Sequence, residues 1–367
     1  MAKKEFEVIV ETDEKIYLTS TIIIENILLK VIINNITIYD INLNKIEPNI
    51  RYWFLPNDKS YLNNTFFVEI LDRNNNIIFK EKIESYFNNM DFDHLIEKYN
   101  IKNIKGVSYK DIGQEGHGRI GNQFFEIAAT ISLARENNVC ALFPEWKYSK
   151  YFDNDISDDN IENFEIKSTY HYGDSKYKKI PYTPNMDLHG FFQSEKYFKQ
   201  YEKEIRNLFT LKSEYENNLR NKWAHLLNTK TVSIHVRRTD YLDNPTFHII
   251  PTMSYFKKSL KYIEYLDSFN KIENVLIFSD DIDWCRNNFT DNDYKYNFIE
   301  NQSDIEDLFL MSYCDHNIIS NSSFSWWGSW LNKNENKIIC APYQWFGDGW
   351  DMDYKDIFTE NMKIIKY

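Results

Sequence analysis

The densest run of side chains able to do chemistry is Ser233-Ile-His-Val-Arg-Arg-Thr-Asp-Tyr241. Ile234 and Val236 read as the end of a buried strand, and polar groups fan out where that strand stops. His235, Arg237, Arg238 and Asp240 cannot all sit in a core, because ionisable groups buried without partners are heavily penalised. Arginine forks match phosphate oxygens bidentately and stay charged at any working pH. Arg237 is therefore assigned to an anionic ligand. Arg238 divides between that role and an internal ion pair, for instance with Asp240.

Two further segments offer the same chemistry. Gly116-His-Gly-Arg-Ile-Gly-Asn-Gln123 runs into a helix read from about residue 124. Glycine lets backbone approach a ligand closely, and a helix N-terminus presents free N–H groups to anions. Glycine loops before helices are common, so this segment gains weight only beside the arginines. Asp307-Leu-Phe-Leu-Met-Ser312 precedes Ile318-Ile-Ser-Asn-Ser-Ser-Phe-Ser-Trp-Trp-Gly328, where a strand ends in hydroxyls and an amide before a helix start. That too can hold an anion, although Ser322 or Ser323 can equally serve as a simple N-cap. Trp326 and Trp327 read as packing residues.

The elements that must position these groups fall into two styles. Residues 1–90 read as β: 4–11 alternates, 16–24 and 30–39 are β-branched, and 65–71 and 77–83 flank a turn at 72–76. A small sandwich is the expected result. Residues 86–99 turn polar and helical, which suits a linker. From 104 onward short apolar strands alternate with helices: helices over 124–137, 195–209, 251–269, 304–314 and 326–331, strands over 139–143, 232–236, 275–278, 317–319 and 338–341. That alternation predicts parallel α/β sheets, and the length suits two of them, with ligands outside strand carboxyl ends.

Composition removes several function classes. The chain has 367 residues, 43% of them hydrophobic and 17% aromatic, which describes a folded protein. Its net charge is -12 and no basic block interrupts it, so non-specific nucleic-acid binding is excluded. Cys140, Cys285, Cys314 and Cys340 lack any CxxC spacing, so neither zinc nor a redox pair is indicated. The most apolar stretch, 21–33, is broken by Glu25, Asn26 and Lys30, too soon for a membrane span.

Read together, the segments resemble the α-1,2-fucosyltransferases of glycosyltransferase family 11. The resemblance is carried by Gly118-Arg-Ile-Gly-Asn-Gln-Phe-Phe125, Gly190-Phe-Phe-Gln-Ser-Glu-Lys-Tyr-Phe198, His235-Val-Arg-Arg-Thr-Asp-Tyr241, Phe278-Ser-Asp-Asp281 and Asn317-Ile-Ile-Ser-Asn-Ser-Ser-Phe-Ser-Trp-Trp-Gly-Ser-Trp-Leu331. It spans about 105–345 in the family's order. Residues 1–100 have no counterpart in the short bacterial members, and no membrane anchor like that of the animal members is expected.

The resemblance implies a GT-B fold, with two Rossmann-like domains facing a cleft, here preceded by the small all-β, sandwich-like domain. The expected divisions are 1–100 for the β accessory domain, 101–225 for the acceptor-side half and 226–367 for the GDP-fucose-side half. By motif, Arg237 would grip the β-phosphate, His235 would lie near the guanosine, and Asp307 would accept from guanine N1 and N2. Ser322 and Ser323 would touch the pyrophosphate, while Gly121 and Asn122 would reach the donor from the facing half.

The implied reaction is inverting transfer of L-fucose from GDP-β-L-fucose to a sugar hydroxyl, the 2-OH of a terminal β-galactoside. Negative charge grows on the β-phosphate in an oxocarbenium-like transition state. Arg237 with a helix N-terminus can absorb it, so no metal and no cofactor are expected. Asp281-Ile-Asp283 spells the DxD of metal-dependent transferases, but so do Asp91-Phe-Asp93, Asp153-Asn-Asp155, Asp291-Asn-Asp293 and Asp351-Met-Asp353. The spelling carries no weight. A carboxylate is expected as general base, Asp243 first, with Glu126 and Glu195 as alternatives. The expected partners are GDP-fucose and a glycan ending in galactose, without nucleic acid or a transmembrane segment. The expected location is cytoplasmic, at most peripheral at the inner membrane face where lipid-linked glycans are built. Two rival readings stay open: a GT-B transferase using another sugar nucleotide, and a glycan-binding protein without catalysis.

Overall fold

The computed structural model describes residues 105–366, apart from short gaps, and the backbone of strands between residues 6 and 84. Those strands are β1 (Phe6–Val10), β2 (Ile16–Ser20), β3 (Ile24–Ile33), β4 (Ile36–Ile46), β5 (Arg51–Phe54), β6 (Thr65–Leu71) and β7 (Ile77–Glu84). They form antiparallel sheets ordered β1-β2-β5 and β4-β3-β6-β7. β6 and β7 pair as a hairpin would, with Thr65 opposite Glu84. The turn expected at 72–76 and the linker expected at 86–99 lie outside the described residues.

A parallel sheet follows, built from β8 (Gly106–Ser108), β9 (Cys140–Leu142), β10 (Ser168–His171) and β11 (Met186–His189) in the order β10-β11-β8-β9. Helix α1 (Ile120–Glu136) joins β8 to β9. Phe124, Phe125, Ile127, Ala128 and Leu133 are all buried on it. A helix apolar all round belongs inside a core rather than on a surface.

Helices α2 (Glu202–Leu208), α3 (Ser213–Lys222) and α4 (Ala224–Leu227) lead to the second parallel sheet. Its elements in chain order are β12 (Thr231–Val236), α5 (Thr239–Asp243), α6 (Met253–Leu266), β13 (Asn274–Ser279), α7 (Ile282–Asn288) and β14 (Tyr296–Phe298). Then come α8 (Asp304–Tyr313), β15 (His316–Ile318), α9 (Ser323–Leu331), β16 (Ile339–Pro342) and β17 (Met362–Ile365). The spatial order is β14-β13-β12-β15-β16-β17. Counted within the sheet this is the doubly wound order 3-2-1-4-5-6, whose winding reverses between β12 and β15. Every residue of β12 is buried, as its β-branched run predicts.

An aromatic cluster joins the two parallel-sheet regions. Phe124 stacks on Phe209 at 4.0 Å, and Phe198 on Trp327 at 5.3 Å. Trp326 and Trp327 are fully buried, so their work is packing.

Two expected helices differ. α1 starts at Ile120, four residues before the expected start, and so includes Gly121. The helix expected over 195–209 is broken into 3-10 turns at Glu195–Tyr197 and Lys199–Tyr201, followed by α2. The Ser194 hydroxyl accepts from Lys196 N and donates to Asp356 O, and Phe198 turns fully inward to the aromatic cluster. Local capping and tertiary packing together override the helical period.

Candidate active site

A cavity of about 620 Å³ lies beyond the carboxyl ends of β12 and β15, where a doubly wound sheet places its ligand. Two helices open onto it. The N-cap residues, Arg119 of α1 and Ser322 of α9, make no side-chain capping bond, so first-turn N–H groups remain for a ligand. Gly121 lets these helix starts meet. A Cβ there would stand 2.5 Å from Phe324 N and 2.6 Å from Ser323 C, closer than any side chain allows. Asn122 Oδ1 then accepts from Ser323 Oγ at 2.6 Å and Gln193 Nε2 at 2.8 Å, tying three segments together.

The Arg237 guanidinium, only 12% exposed, lies between Asp240 Oδ2 at 2.7 Å and Asp280 Oδ2 at 2.9 Å. Asp280 also accepts from Arg238 N at 2.9 Å and Thr239 Oγ1 at 2.5 Å, which pins the turn after β12 to the end of β13. Across the cavity Arg119 donates to Asp240 Oδ2 at 2.8 Å. Burial alone would raise the Asp240 carboxyl, but the Arg237 hydrogen bond and the charges of Arg237 and Arg119 outweigh it and hold it low. The fork is thus oriented before any ligand arrives, with part of its N–H set still uncommitted.

Arg238 takes the ion-pair reading, with a different partner. It donates to Asp281 Oδ2 at 3.1 Å and lies 4.0 Å over the Trp284 ring. Asp281 also caps α7 by accepting from Trp284 N.

His235 Nδ1 meets Ser320 Oγ at 2.8 Å, a bond spanning the reversal point of the sheet. Burial, then the Arg237 charge, pushes this imidazole down to about 3, so it is neutral. Asp307 lines the cavity from α8, and burial pushes its carboxyl up to about 6 against the Gln302 hydrogen bond at 2.8 Å. Asp304 beside it accepts from the Tyr148 hydroxyl.

Of the residues singled out by sequence, Gly121, Asn122, His235, Arg237, Asp307, Ser322 and Ser323 share this wall. Asp243 does not; it is exposed at the end of α5. Glu126 is fully buried inside α1, and Glu195 pairs with Lys199 at 3.1 Å. Wall residues that sequence reasoning passed over include Arg119, Asp304, His248 and Phe346. Arg119 carried a signal inside its glycine-rich motif, whereas His248 and Phe346 sit in loops without any period.

The sequence profile described as Glycosyl transferase family 11 matches residues 65–365. Among relatives, the Escherichia coli O-antigen biosynthesis glycosyltransferase WbnK is 43% identical over 124 residues, 32% of this chain and 40% of the relative. An Escherichia coli alpha-1,2-colitosyltransferase is 35% identical over 170 residues, 44% of this chain and 57% of the relative. The Bos taurus galactoside alpha-(1,2)-fucosyltransferase 2 is 28% identical over 247 residues, 62% of this chain and 70% of the relative. The match thus spans about half the length of the first two relatives. Among solved structures, NodZ alpha-1,6-fucosyltransferase soaked with GDP-fucose is similar at a TM-score of 0.41 and 13% identity, covering 62% of this chain and 92% of that one. Among the described residues no helix is long and apolar enough to cross a membrane. With the family profile matched over residues 65–365, the chain belongs to glycosyl transferase family 11.

Proposed function

We propose that the protein is an inverting, metal-independent galactoside α-1,2-fucosyltransferase using GDP-β-L-fucose. In this reading residues 101–225 and 226–367 are the two halves of a GT-B enzyme, and residues 1–100 form a sandwich-like accessory domain. One observation carries it: a fixed guanidinium and two uncapped helix starts converge where a doubly wound sheet reverses. That is a receptor for a diphosphate.

Arg237 holds the β-phosphate, and the first turns of α1 and α9, with Asn122, Ser322 and Ser323, surround the pyrophosphate. Asp307 accepts from guanine N1 and N2, and neutral His235 lies against the guanosine. As the C1–O bond breaks, its electron pair moves onto the β-phosphate oxygen. Preorganised donors there stabilise that charge without reorganising. Asp243, being exposed and off the cavity wall, is not retained as the base.

Thermal shift with GDP, UDP and dTDP tests the donor, since a ligand binding only the folded state raises its melting temperature. GDP should stabilise the protein and the pyrimidine nucleotides should not; no effect of GDP overturns the reading. A second reading keeps the reaction and changes the sugar, because a relative is a colitosyltransferase. Transfer rates from GDP-fucose and GDP-linked colitose separate the two.

A further inference from the structure

The reaction needs a group to take the acceptor's proton, and the expected carboxylates are off the cavity wall. The wall does carry an imidazole. His248 lies on the connection between α5 and α6, stacked on the Tyr241 ring at 3.9 Å and 4°. Phe247 meets it edge-on at 4.4 Å and 88°, and the His248 backbone N donates to Asn244 O at 2.9 Å. The Tyr241 hydroxyl donates to Asn321 O at 2.7 Å, so the platform beneath the imidazole is itself fixed.

Among the described residues three buried atoms on this wall lack hydrogen-bond partners: His248 Nδ1, Asp240 Oδ1 and Asn321 Oδ1. Such orphans are rare in folded proteins and call for explanation. The two oxygens are acceptors, and the imidazole nitrogen is able to donate. Tyr241, which carries the imidazole, directly follows Asp240, and the Asp240 charge acts on the ring. His248 and Asp240 are not bonded here, but catalytic hydrogen bonds are often long until substrate closes the site, and the Asp240 charge, unlike the neutral Asn321 amide, favours a proton on this imidazole.

We propose that His248 is the general base for the acceptor hydroxyl, with Asp240 as the positioning residue that keeps the proton on Nδ1. This rests on the transferase reading above. Once substrate closes the site and Nδ1–H pairs with Asp240 Oδ1, Nε2 keeps its lone pair for the acceptor. The acceptor O–H proton passes to Nε2 as the acceptor oxygen bonds to C1. The C1–O bond to the phosphate breaks, its electron pair stays on the β-phosphate oxygen, and the imidazolium later releases its proton to water.

The surroundings suit that step. The charged groups bearing on His248 are Asp240 and Arg237, backed by Arg119 and Asp280 through ion pairs. Burial first, then the Arg237 charge, holds the imidazole below its ordinary value against the pull of Asp240, so it is unprotonated at neutral pH. Arg237 lies 5.7 Å from the same Tyr241 ring. Sharing that ring holds base and leaving-group anchor within about 10 Å of each other on the same cavity wall.

The test compares His248→Ala and His248→Gln with wild type, using GDP-fucose and octyl β-D-galactoside, with GDP-fucose hydrolysis as the readout for water as acceptor. GDP affinity should stay within about twofold, while kcat falls roughly 10²- to 10⁴-fold. Added imidazole should partly restore the Ala variant, and the acidic limb of the kcat profile at saturating GDP-fucose should vanish in the Gln variant. Nitrogen-15 NMR of the complex with GDP and octyl β-D-galactoside at pH 7.5 should show the neutral Nδ1–H tautomer, shifting toward Nε2–H in Asp240→Ala. Wild-type kcat in both His248 variants, or an Nε2–H tautomer in wild type, overturns the proposal. Failure of wild type to bind GDP is a different result, and overturns the transferase reading with it.

Discussion

Replacing Asp307 by Asn tests guanine recognition and burial energetics at once, because the two effects have opposite signs. In the proposed reading the carboxylate accepts from two guanine donors, and a hydrogen bond involving a charged group contributes about 1.5–3 kcal/mol. Losing that charge should weaken GDP binding roughly 10- to 150-fold. The acid must be ionised to accept, and burial has moved it up to about 6. Wild-type affinity should therefore be level above about pH 7 and fall toward tenfold per unit below 6, while the Asn variant stays level. Inosine diphosphate, lacking the 2-amino group, should lose affinity in wild type and much less in the variant, a coupling that a double cycle reads directly. Stability runs the other way. A carboxyl raised from the ordinary 3.8 to about 6 favours the folded state fully below 3.8, and that contribution is lost as pH rises through 6. At pH 8 the ligand-free variant should thus be more stable than wild type, by on the order of 2–3 kcal/mol, and the difference should close near pH 4. Calorimetric titration across pH 5–8 with paired thermal melts is the assay. Unchanged GDP affinity in the variant, or a flat wild-type profile, refutes the assignment.

Arg237→Ala should lower transfer by roughly 10²-fold or more, and Arg237→Lys should not restore it, since a point charge cannot satisfy Asp240 and Asp280 in fork geometry. The same steady-state assay in EDTA should keep its rate; loss restored by manganese would place a metal at the leaving group instead. Gly121→Ala should cost about 1–3 kcal/mol in thermal melts and weaken GDP binding, because its Cβ would stand 2.5 Å from Phe324 N and must part the two helix starts. Burial pushes the Glu126 carboxyl well above the ordinary 4.5, opposed in part by the Tyr109 hydroxyl. Wild type should therefore lose stability as pH rises above 4.5 toward that raised value. The melting temperature of Glu126→Gln relative to wild type should climb between pH 5 and 9; a constant difference removes Glu126 as the cause.

Sequence alone locates β12 because Val232, Ile234 and Val236 alternate with smaller or polar residues and end abruptly at His235 and Arg237. It also collects Ser322 and Ser323, since a diphosphate calls for hydroxyls and helix starts, whereas Asn122 and Asp307 enter only through the family resemblance. What it cannot assign is pairing across the sheet. Asp240 looked like the neighbour of Arg238, but β13 brings Asp281 to Arg238 and Asp280 to Arg237, a consequence of strand order rather than local spacing. Gly121 misled in a different way. Glycine disfavours a helix interior, yet α1 includes it because close approach to α9 outweighs propensity. His248 has no local signature, because its significance comes from Tyr241 and an unpaired oxygen of Asp240.

The charge of the site raises a last physical question. Arg119 and Arg237 are matched by Asp240 and Asp280, and Asp304 and Asp307 add two further acids to the same wall. Counting side chains, the cavity of this acidic protein offers a diphosphate no net attraction. Binding must come from direction instead. Two helix starts present partial positive charge at fixed points, and Asp240 and Asp280 hold the guanidinium fork rather than merely cancelling it. An oriented donor retains its advantage in a site that excludes water, where reorganisation would otherwise consume much of the electrostatic gain. In the proposed reaction the carboxylates around Arg237 are therefore part of how a leaving phosphate is stabilised, and they also keep that guanidinium from being an uncompensated charge before a donor arrives.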